Sequence, residues 1–485
     1  MTKSYNGRRL VSMLGALAVA ESLFMAVAAL IDLCYPNDGM TGFFSLGISA
    51  VITAGVGLFG YFWGKQSERQ LGLRESYTLV GTVWIVFALF GMLPFLVSKT
   101  IPNVIDAFFE TFSGFTTTGT TILTNIEALP HSLLLWRSLT QWLGGMGIVI
   151  LSLAVMPFIG GGMQFALAES SSPTFNKIQP RIGDTARRLW AIYVALTGLQ
   201  VFLLFLGGME LFDAVCHALT TMSSGGYSTK QLSISYWQSP FIHYVFIIFM
   251  IFSGINFSLL YMSFIRGKFS EMIKNDEWRN YIGLILGVTF VLTLITIVTE
   301  TVISWEGVEN SLRNALFQSA SILSSTGFIM SNYIQWSTAA YLLLLGLMFI
   351  GGSSGSTSGG IKVVRFVIVI KNCLLEFRRL LHRNAVIPFR VNNRLMREST
   401  VNTVYSFVTL FVLCIIIGTV ALMATGIELR MAINLSLSSL ANAGSTFDIS
   451  SVNAAAKGIM MLMMLLGRLE IFTILLLFSP ALWRK

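Results

Sequence analysis

Apolar runs of about 20 residues or more recur along the chain, at about 10–32, 43–64, 77–98, 133–159, 189–208, 239–265, 281–304, 338–375, 400–426 and 456–482. Each is long enough to carry a helix across the hydrocarbon core of a bilayer, so the pattern predicts ten membrane spans. The eighth run differs from the rest, because GGSSGSTSGG (351–360) interrupts it at mid-membrane depth. Backbone released from a helix at that depth must be buried in protein or line water.

Four of the connections between spans are semi-apolar and share one pattern. DAFFETFSGFTTTGTT (106–121), DAVCHALTTMSSGGYST (213–229), NALFQSASILSSTGF (314–328) and MAINLSLSSLANAGSTF (431–447) align without gaps. In each, an alanine (Ala107, Ala214, Ala315, Ala432) stands twelve residues before a glycine (Gly119, Gly226, Gly327, Gly444), and a hydroxyl (Ser113, Thr220, Ser321, Ser438) stands six before it. The glycines are 107, 101 and 117 residues apart, and matches at both offsets mark a four-fold internal repeat.

Each repeat reads as a helix, a half-helix of about ten residues, an extended polar tail and a second helix. A half-helix of that length cannot cross the bilayer, so it re-enters from the outer face and stops near the middle. The tails are Thr116, Thr117, Thr118 and Gly119; Ser223, Ser224, Gly225 and Gly226; Ser324, Ser325, Thr326 and Gly327; and Ala441, Asn442, Ala443 and Gly444. Small side chains and glycine let carbonyl oxygens turn inward, and four tails around one axis would stack rings of oxygen able to replace a potassium ion's hydration shell. The half-helices would aim their C-terminal dipole ends at that axis, which favours a cation. The other reading of these segments is polar hairpins covering a transporter.

Composition excludes a soluble protein. Of 485 residues 54% are hydrophobic and 11% charged, against about 25% charged in soluble domains, and the mean hydropathy is +0.73. The net charge of +9 reports orientation: 25 of the 32 Lys and Arg residues fall in the N-terminus, 65–74, 177–188, 266–279, 362–397 and the C-terminus. These all lie on one side of the predicted bilayer, which the positive-inside rule makes cytoplasmic. The opposite loops hold Asp38, Asp106, Glu110, Glu127, Glu210, Asp213, Glu300, Glu306, Glu309, Glu428 and Asp448, an acidic face that concentrates cations. Lys3, Arg8 and Arg9 precede an apolar run without a small-residue cleavage site, so the first span reads as uncleaved. Cys34, Cys216, Cys373 and Cys414 and the four histidines are scattered, which indicates neither disulfides, zinc nor haem.

Other positions carry candidate chemistry. GSTSGGIK (355–362) nearly matches a phosphate-binding loop, but Ile361 stands where lysine is needed and the segment lies inside an apolar span, so nucleotide binding there is rejected. Arg468 falls mid-span in the tenth run, where a charge costs roughly 2.5–3.5 kcal/mol and has to face protein or water. It reads as an electrostatic barrier in a cation path, as a hydrogen-bond donor to carbonyls of 351–360, or as half of a buried pair with an acid on another helix. Glu470, two residues on, projects from a different face. Lys362, Glu21 and Arg137 are placed near span ends, where snorkelling accounts for them. GGMG (144–147) reads as a small-residue packing face, and Trp142 as part of an aromatic belt. The arginine-rich segment 374–399, with Arg378, Arg379, Arg383, Arg390, Arg394 and Arg397, suits anionic lipid headgroups.

With the four loops, QWLGGMGI (141–148), GGSSGSTSGGIKVVR (351–365) and GRLEIFTIL (467–475), essentially the whole chain resembles the bacterial TrkH-type members of the Trk, Ktr and HKT superfamily of potassium transporters. The two leading helices (10–64) are a feature of the TrkH type. The resemblance implies an all-α polytopic fold: a two-helix leader (1–70), then four pore repeats at 71–160, 161–266, 267–385 and 386–485 around a central pore. It implies filter glycines at Gly119, Gly226, Gly327 and Gly444; sodium-preferring plant relatives often carry serine at the first. It further implies a gate at Gly351, Gly352, Gly355, Ser356, Thr357, Gly359 and Gly360, to which the residue reading adds Arg468. The expected protein is a homodimeric potassium-uptake protein of the cytoplasmic (inner) membrane with both termini cytoplasmic, and not an enzyme. It carries no covalent cofactor and takes nucleotide control from a separate cytosolic RCK-type subunit. The rival readings are a proton- or sodium-coupled symporter, a sodium-preferring relative, and a membrane-embedded enzyme or respiratory subunit.

Overall fold

The computed structural model describes residues 6–65, 73–155, 182–300, 304–382, 387–392 and 394–480. Lys3, Arg69, Lys177, Arg181, Arg383, Arg484 and Lys485 of the basic segments, and residues 156–159, 301–303 and 481–482 of the expected spans, lie outside them. The fold is all-α and polytopic. Its principal helices are α1 (Gly7–Ala29), α2 (Thr41–Gly64), α3 (Leu73–Gly91), α4 (Val104–Phe115), α5 (His131–Val155), α6 (Ile182–Leu206), α7 (Leu211–Met222) and α8 (Pro240–Ser253). They continue as α9 (Asp276–Glu300), α10 (Trp305–Leu323), α11 (Thr338–Ile350), α12 (Val363–Leu381), α13 (Glu398–Ala424), α14 (Leu429–Ala441), α15 (Ala454–Arg468) and α16 (Glu470–Phe478). Among the described residues the strand pairing is one antiparallel hairpin, Arg390–Val391 with Arg394–Leu395.

The ten runs do not become ten straight spans. Six described helices are long and apolar enough to cross a membrane, and eight qualify if two bent pairs are each taken as one span. The expected sixth span breaks between Pro240–Ser253 and Phe257–Ile265 with a bend of 107°, and the tenth between Ala454–Arg468 and Glu470–Phe478 with a bend of 108°. At the first break the Asn256 side chain accepts from the Ser258 N–H at 2.8 Å and restarts the helix. At the second, Glu470 has φ +53°, a left-handed conformation that separates the helix ending at Arg468 from the one that follows. The eighth run splits as foreseen, into α11 and α12 around 351–360.

The leader packs through glycine. A β-carbon on Gly15 would lie 2.5 Å from the Gly57 carbonyl oxygen, and one on Gly64 would lie 2.1 Å from that of Arg8, so α1 and α2 touch backbone to backbone. The hairpin is then tied to the first repeat by two carboxylates at the start of α5. Asp38 Oδ2 accepts from the His131 N–H at 2.7 Å and Asp32 Oδ1 from the Ser132 N–H at 3.1 Å, satisfying free donors at the positive end of the helix. Trp136 Nε1 donates to the Gly91 carbonyl at 3.0 Å and joins α5 to α3.

Candidate functional site

The short helices α4, α7, α10 and α14 run 12, 12, 19 and 13 residues. The third exceeds the expected half-helix because the polar stretch from Trp305, capped by Ser304 and exposed at its start, extends it outward. The alanines that open the repeat pattern, Ala107, Ala214, Ala315 and Ala432, are fully buried. Each helix passes into its tail through the same backbone turn. Thr117, Ser224, Ser325 and Asn442 take φ of 54°, 56°, 54° and 49°, and the glycine two residues later takes 82°, 75°, 78° and 68°. The amide one residue before the glycine returns to the position six before it: Thr118 to Ser113, Gly225 to Thr220, Thr326 to Ser321 and Ala443 to Ser438, at 2.9, 2.9, 2.8 and 3.0 Å. The recurring hydroxyl position thus serves this turn with its backbone carbonyl.

The four tails close on one another in chain order. A β-carbon on Gly119 would lie 1.9 Å from the Gly225 carbonyl oxygen, on Gly226 1.9 Å from that of Thr326, on Gly327 2.6 Å from that of Ala443, and on Gly444 3.2 Å from that of Thr118. Each glycine lies against the carbonyl of the next loop, and the fourth returns to the first. Positive φ and close backbone approach together leave glycine as the residue that fits. Asn442 Nδ2 also ties loop four to loop one, donating to Thr118 Oγ1 at 3.0 Å and to the Met464 carbonyl at 3.1 Å.

Segment 351–360 lies against the side of this ring on which the short helices end. Thr357 Oγ1 is 2.8 Å from Ser224 Oγ and within 3.1 Å of the Met222 carbonyl. Gly359 N–H donates to Ser325 Oγ at 2.7 Å, and a β-carbon on Gly359 would lie 1.9 Å from the Ala441 carbonyl. Gly351 packs on Gly359 and Gly360; the Gly352 carbonyl accepts from Val363 N–H at 2.9 Å, and that of Gly355 from Phe257 N–H at 3.2 Å. Ser356 Oγ lies 2.6 Å from Ser358 Oγ. Arg468, 3% exposed, donates to the Thr357 carbonyl at 3.0 Å and to that of Gly144 on α5 at 2.9 Å, with its guanidinium 5.5 Å from the Trp84 ring centre. Of the three readings for Arg468, the pair with an acid is replaced by carbonyl partners. Glu470 instead meets Arg365 at 2.6 Å.

Three charged residues placed at span ends prove buried. Arg137 pairs with Glu110 at 2.9 Å, with both side chains no more than 2% exposed. Its guanidinium lies 4.2 Å from the Tyr227 ring centre, and Tyr227 Oη donates to the Glu110 carbonyl at 2.7 Å. This network behind loops one and two was missed because the partners sit 27 positions apart on different helices. The available signal was an acid, Glu110, inside an apolar half-helix, since a buried carboxylate needs a buried cation or donor. Lys362 is buried and donates to the Ser358 carbonyl. Glu21 is 2% exposed, and among the described residues its carboxylate oxygens have no hydrogen-bond partner. Lys457, also unremarked in the sequence, pairs with Asp106 at 2.7 Å and joins α15 to α4. Gly144 and Gly145 do form a packing face as expected: β-carbons there would meet Phe115 O at 2.0 Å and Ser223 Cα at 2.8 Å.

Fold and site together define a multi-pass α-helical membrane protein with four helix, loop, helix units arranged about a ring of backbone. The family model described as "TrkH: Cation transport protein" matches residues 46–485. The Trk system potassium uptake protein TrkH of Salmonella typhimurium is 36% identical over 495 residues, covering 99% of each chain. That of Escherichia coli K12 is 36% identical over 489 residues with the same coverage. The crystal structure of the potassium transporter TrkH from Vibrio parahaemolyticus superimposes with a TM-score of 0.90 at 31% identity, over 99% of this chain and all of that one. The chain belongs to the TrkH family of cation transport proteins. It is therefore a transporter and not an enzyme.

Proposed function

We propose that this chain takes up potassium across the cytoplasmic membrane, through a filter made by the four tails and past a gate made by 351–360 and Arg468. The observation that carries the reading is the closed ring, in which each loop's glycine lies against the next loop's carbonyl. A ring of backbone held by packing presents oxygen at a set spacing, which is what replacing a hydration shell requires. The names of the matched relatives, all potassium uptake proteins or transporters, supply the ion. Glycine at 119, where sodium-preferring relatives often carry serine, agrees with that choice. An inside-negative potential supplies about 2.3 kcal/mol per charge per 100 mV, so influx needs no chemical step.

The gate reading rests on the contacts of 351–360 with Met222, Ser224, Ser325 and Ala441, which put it across one end of the ring. Arg468 bolts the segment to α5 and brings a cation to the path. We assign both termini to the cytoplasm from the distribution of Lys and Arg. We also infer a homodimer regulated by a separate cytosolic RCK-type subunit that supplies nucleotide control, as the family resemblance implies.

Glu21 favours a second reading, potassium uptake coupled to protons, because a buried carboxyl with no hydrogen-bond partner among the described residues is a place to carry one. The test is uptake of potassium and sodium by the purified protein in liposomes under an imposed inside-negative potential, with the pH gradient clamped to zero. Potassium-selective flux under those conditions supports the passive filter. Flux that starts only when a proton or sodium gradient is added overturns it in favour of coupling.

A further inference from the structure

The four tails are braced in different ways. In loops one and three the hydroxyls three residues and one residue before the glycine meet each other, Thr116 with Thr118 at 2.9 Å and Ser324 with Thr326 at 2.7 Å. Loop two has Ser223 and Gly225 at those positions and loop four has Ala441 and Ala443, so neither can form that pair. Loop two is braced from outside its own repeat. Gln141 on α5 donates from Nε2 to the Gly225 carbonyl at 2.9 Å and accepts at Oε1 from the Tyr227 N–H at 3.0 Å. One fully buried amide thereby spans the peptide units on both sides of Gly226. Among the described residues, Gly225 is the one ring position whose carbonyl takes a side-chain donor. The same oxygen is the one against which Gly119 packs.

We propose that Gln141 is a positioning residue that determines ion preference: its amide sets the direction of the Gly225 carbonyl and so the ring's choice among alkali cations. The inference rests on the filter reading of the four tails. A carbonyl held by Gln141 cannot follow a smaller ion inward, so sodium exchanges its water for oxygen at an unfavourable spacing. Without the amide the Gly225 oxygen is free to close on sodium, and the preference for potassium falls. Gly225 meets a matching requirement. A β-carbon there would lie 2.3 Å from Gln141 Cδ and 2.4 Å from Oε1, so Gly225→Ala pushes aside the flexible end of the glutamine while leaving it in the sequence. Gln141→Leu and Gly225→Ala are two routes to one lesion, and their effects should not add.

The test is competitive uptake of potassium, rubidium and sodium by the purified full chain in liposomes, for wild type, Gln141→Leu, Gly225→Ala and the double variant, with Gly119→Ser alongside. The expected result is a potassium-to-sodium ratio lowered by about three- to ten-fold in each single variant, the range that one hydrogen bond's net contribution spans. The double variant should match the larger single effect. If Gly119→Ser changes the ratio while folded Gln141→Leu and Gly225→Ala leave it at the wild-type value, the role of Gln141 is refuted and the filter reading stands. Additive single effects also refute it. A ratio unmoved by Gly119→Ser as well refutes the filter reading itself. Should Gln141→Leu fail to fold, Gly225→Ala decides the matter, because that protein keeps its glutamine.

Discussion

Replacing Arg468 with alanine removes two hydrogen bonds from a charged donor, to the Thr357 carbonyl at 3.0 Å and the Gly144 carbonyl at 2.9 Å. The first ties the intramembrane segment to α15. A hydrogen bond to a charged group contributes about 1.5–3 kcal/mol, so losing it shifts a closed–open equilibrium by roughly ten- to a hundred-fold toward open. The substitution also removes a positive charge from beside the ring, which lowers any barrier to a permeating cation. Both effects raise basal flux. The assay is potassium uptake into liposomes holding the purified variant without any partner subunit, compared at equal protein and with matched elution on size exclusion. Arg468→Lys separates the two effects: it keeps the charge and loses the planar fork that reaches both carbonyls. Basal flux close to that of the alanine variant identifies the bolt as the larger effect, flux equal to wild type identifies the barrier, and a value midway assigns a share to each. Unchanged or reduced flux in folded Arg468→Ala refutes the gate-and-barrier reasoning altogether.

The ring predicts a graded response to β-carbons. Gly119→Ala and Gly226→Ala would each press on a neighbouring carbonyl at 1.9 Å, against 3.2 Å for Gly444→Ala, so potassium selectivity should fall further in the first two when uptake ratios are compared. Breaking the Arg137–Glu110 pair from one side, as Glu110→Leu or Arg137→Met, should cost about 3–5 kcal/mol by leaving a buried charge alone. The double variant should recover part of that loss in thermal unfolding in detergent. Asp38→Ala removes a carboxylate from the start of α5 and should cost about 0.5–2 kcal/mol, read as a lower melting temperature with potassium selectivity unchanged.

Much of the site was legible because the physics that builds it acts on residue type. Where loops touch backbone to backbone at positive φ, glycine is required, and Gly119, Gly226, Gly327 and Gly444 therefore stand at matching offsets. The 351–360 break was legible because five glycines, four serines and a threonine in succession cannot hold a helix in an apolar span. Helix straightness was not: nothing in the apolar content of 239–265 or 456–482 announces bends of 107° and 108°. Pairings across helices were also hidden, since hydropathy gives the depth of Arg137 and Lys362 but not the rotation of the helix that carries them. The hydroxyls at Ser113, Thr220, Ser321 and Ser438 marked the repeat correctly, yet the shared contact comes from their main-chain carbonyls, an atom every residue has. Gln141 stood inside a motif used for the resemblance, and its amide's reach to Gly225 and Tyr227 emerges once α5 and loop two are placed side by side.

The central claim is that the ring of Gly119, Gly226, Gly327 and Gly444 coordinates the transported ion. Diffraction from crystals grown in rubidium, recorded at the rubidium absorption edge, tests it directly, because the anomalous signal reports the ion and not water. The account predicts an anomalous peak on the axis within the ring, weakened when sodium replaces most of the rubidium. Ordered crystals with rubidium peaks elsewhere and none within the ring would contradict it.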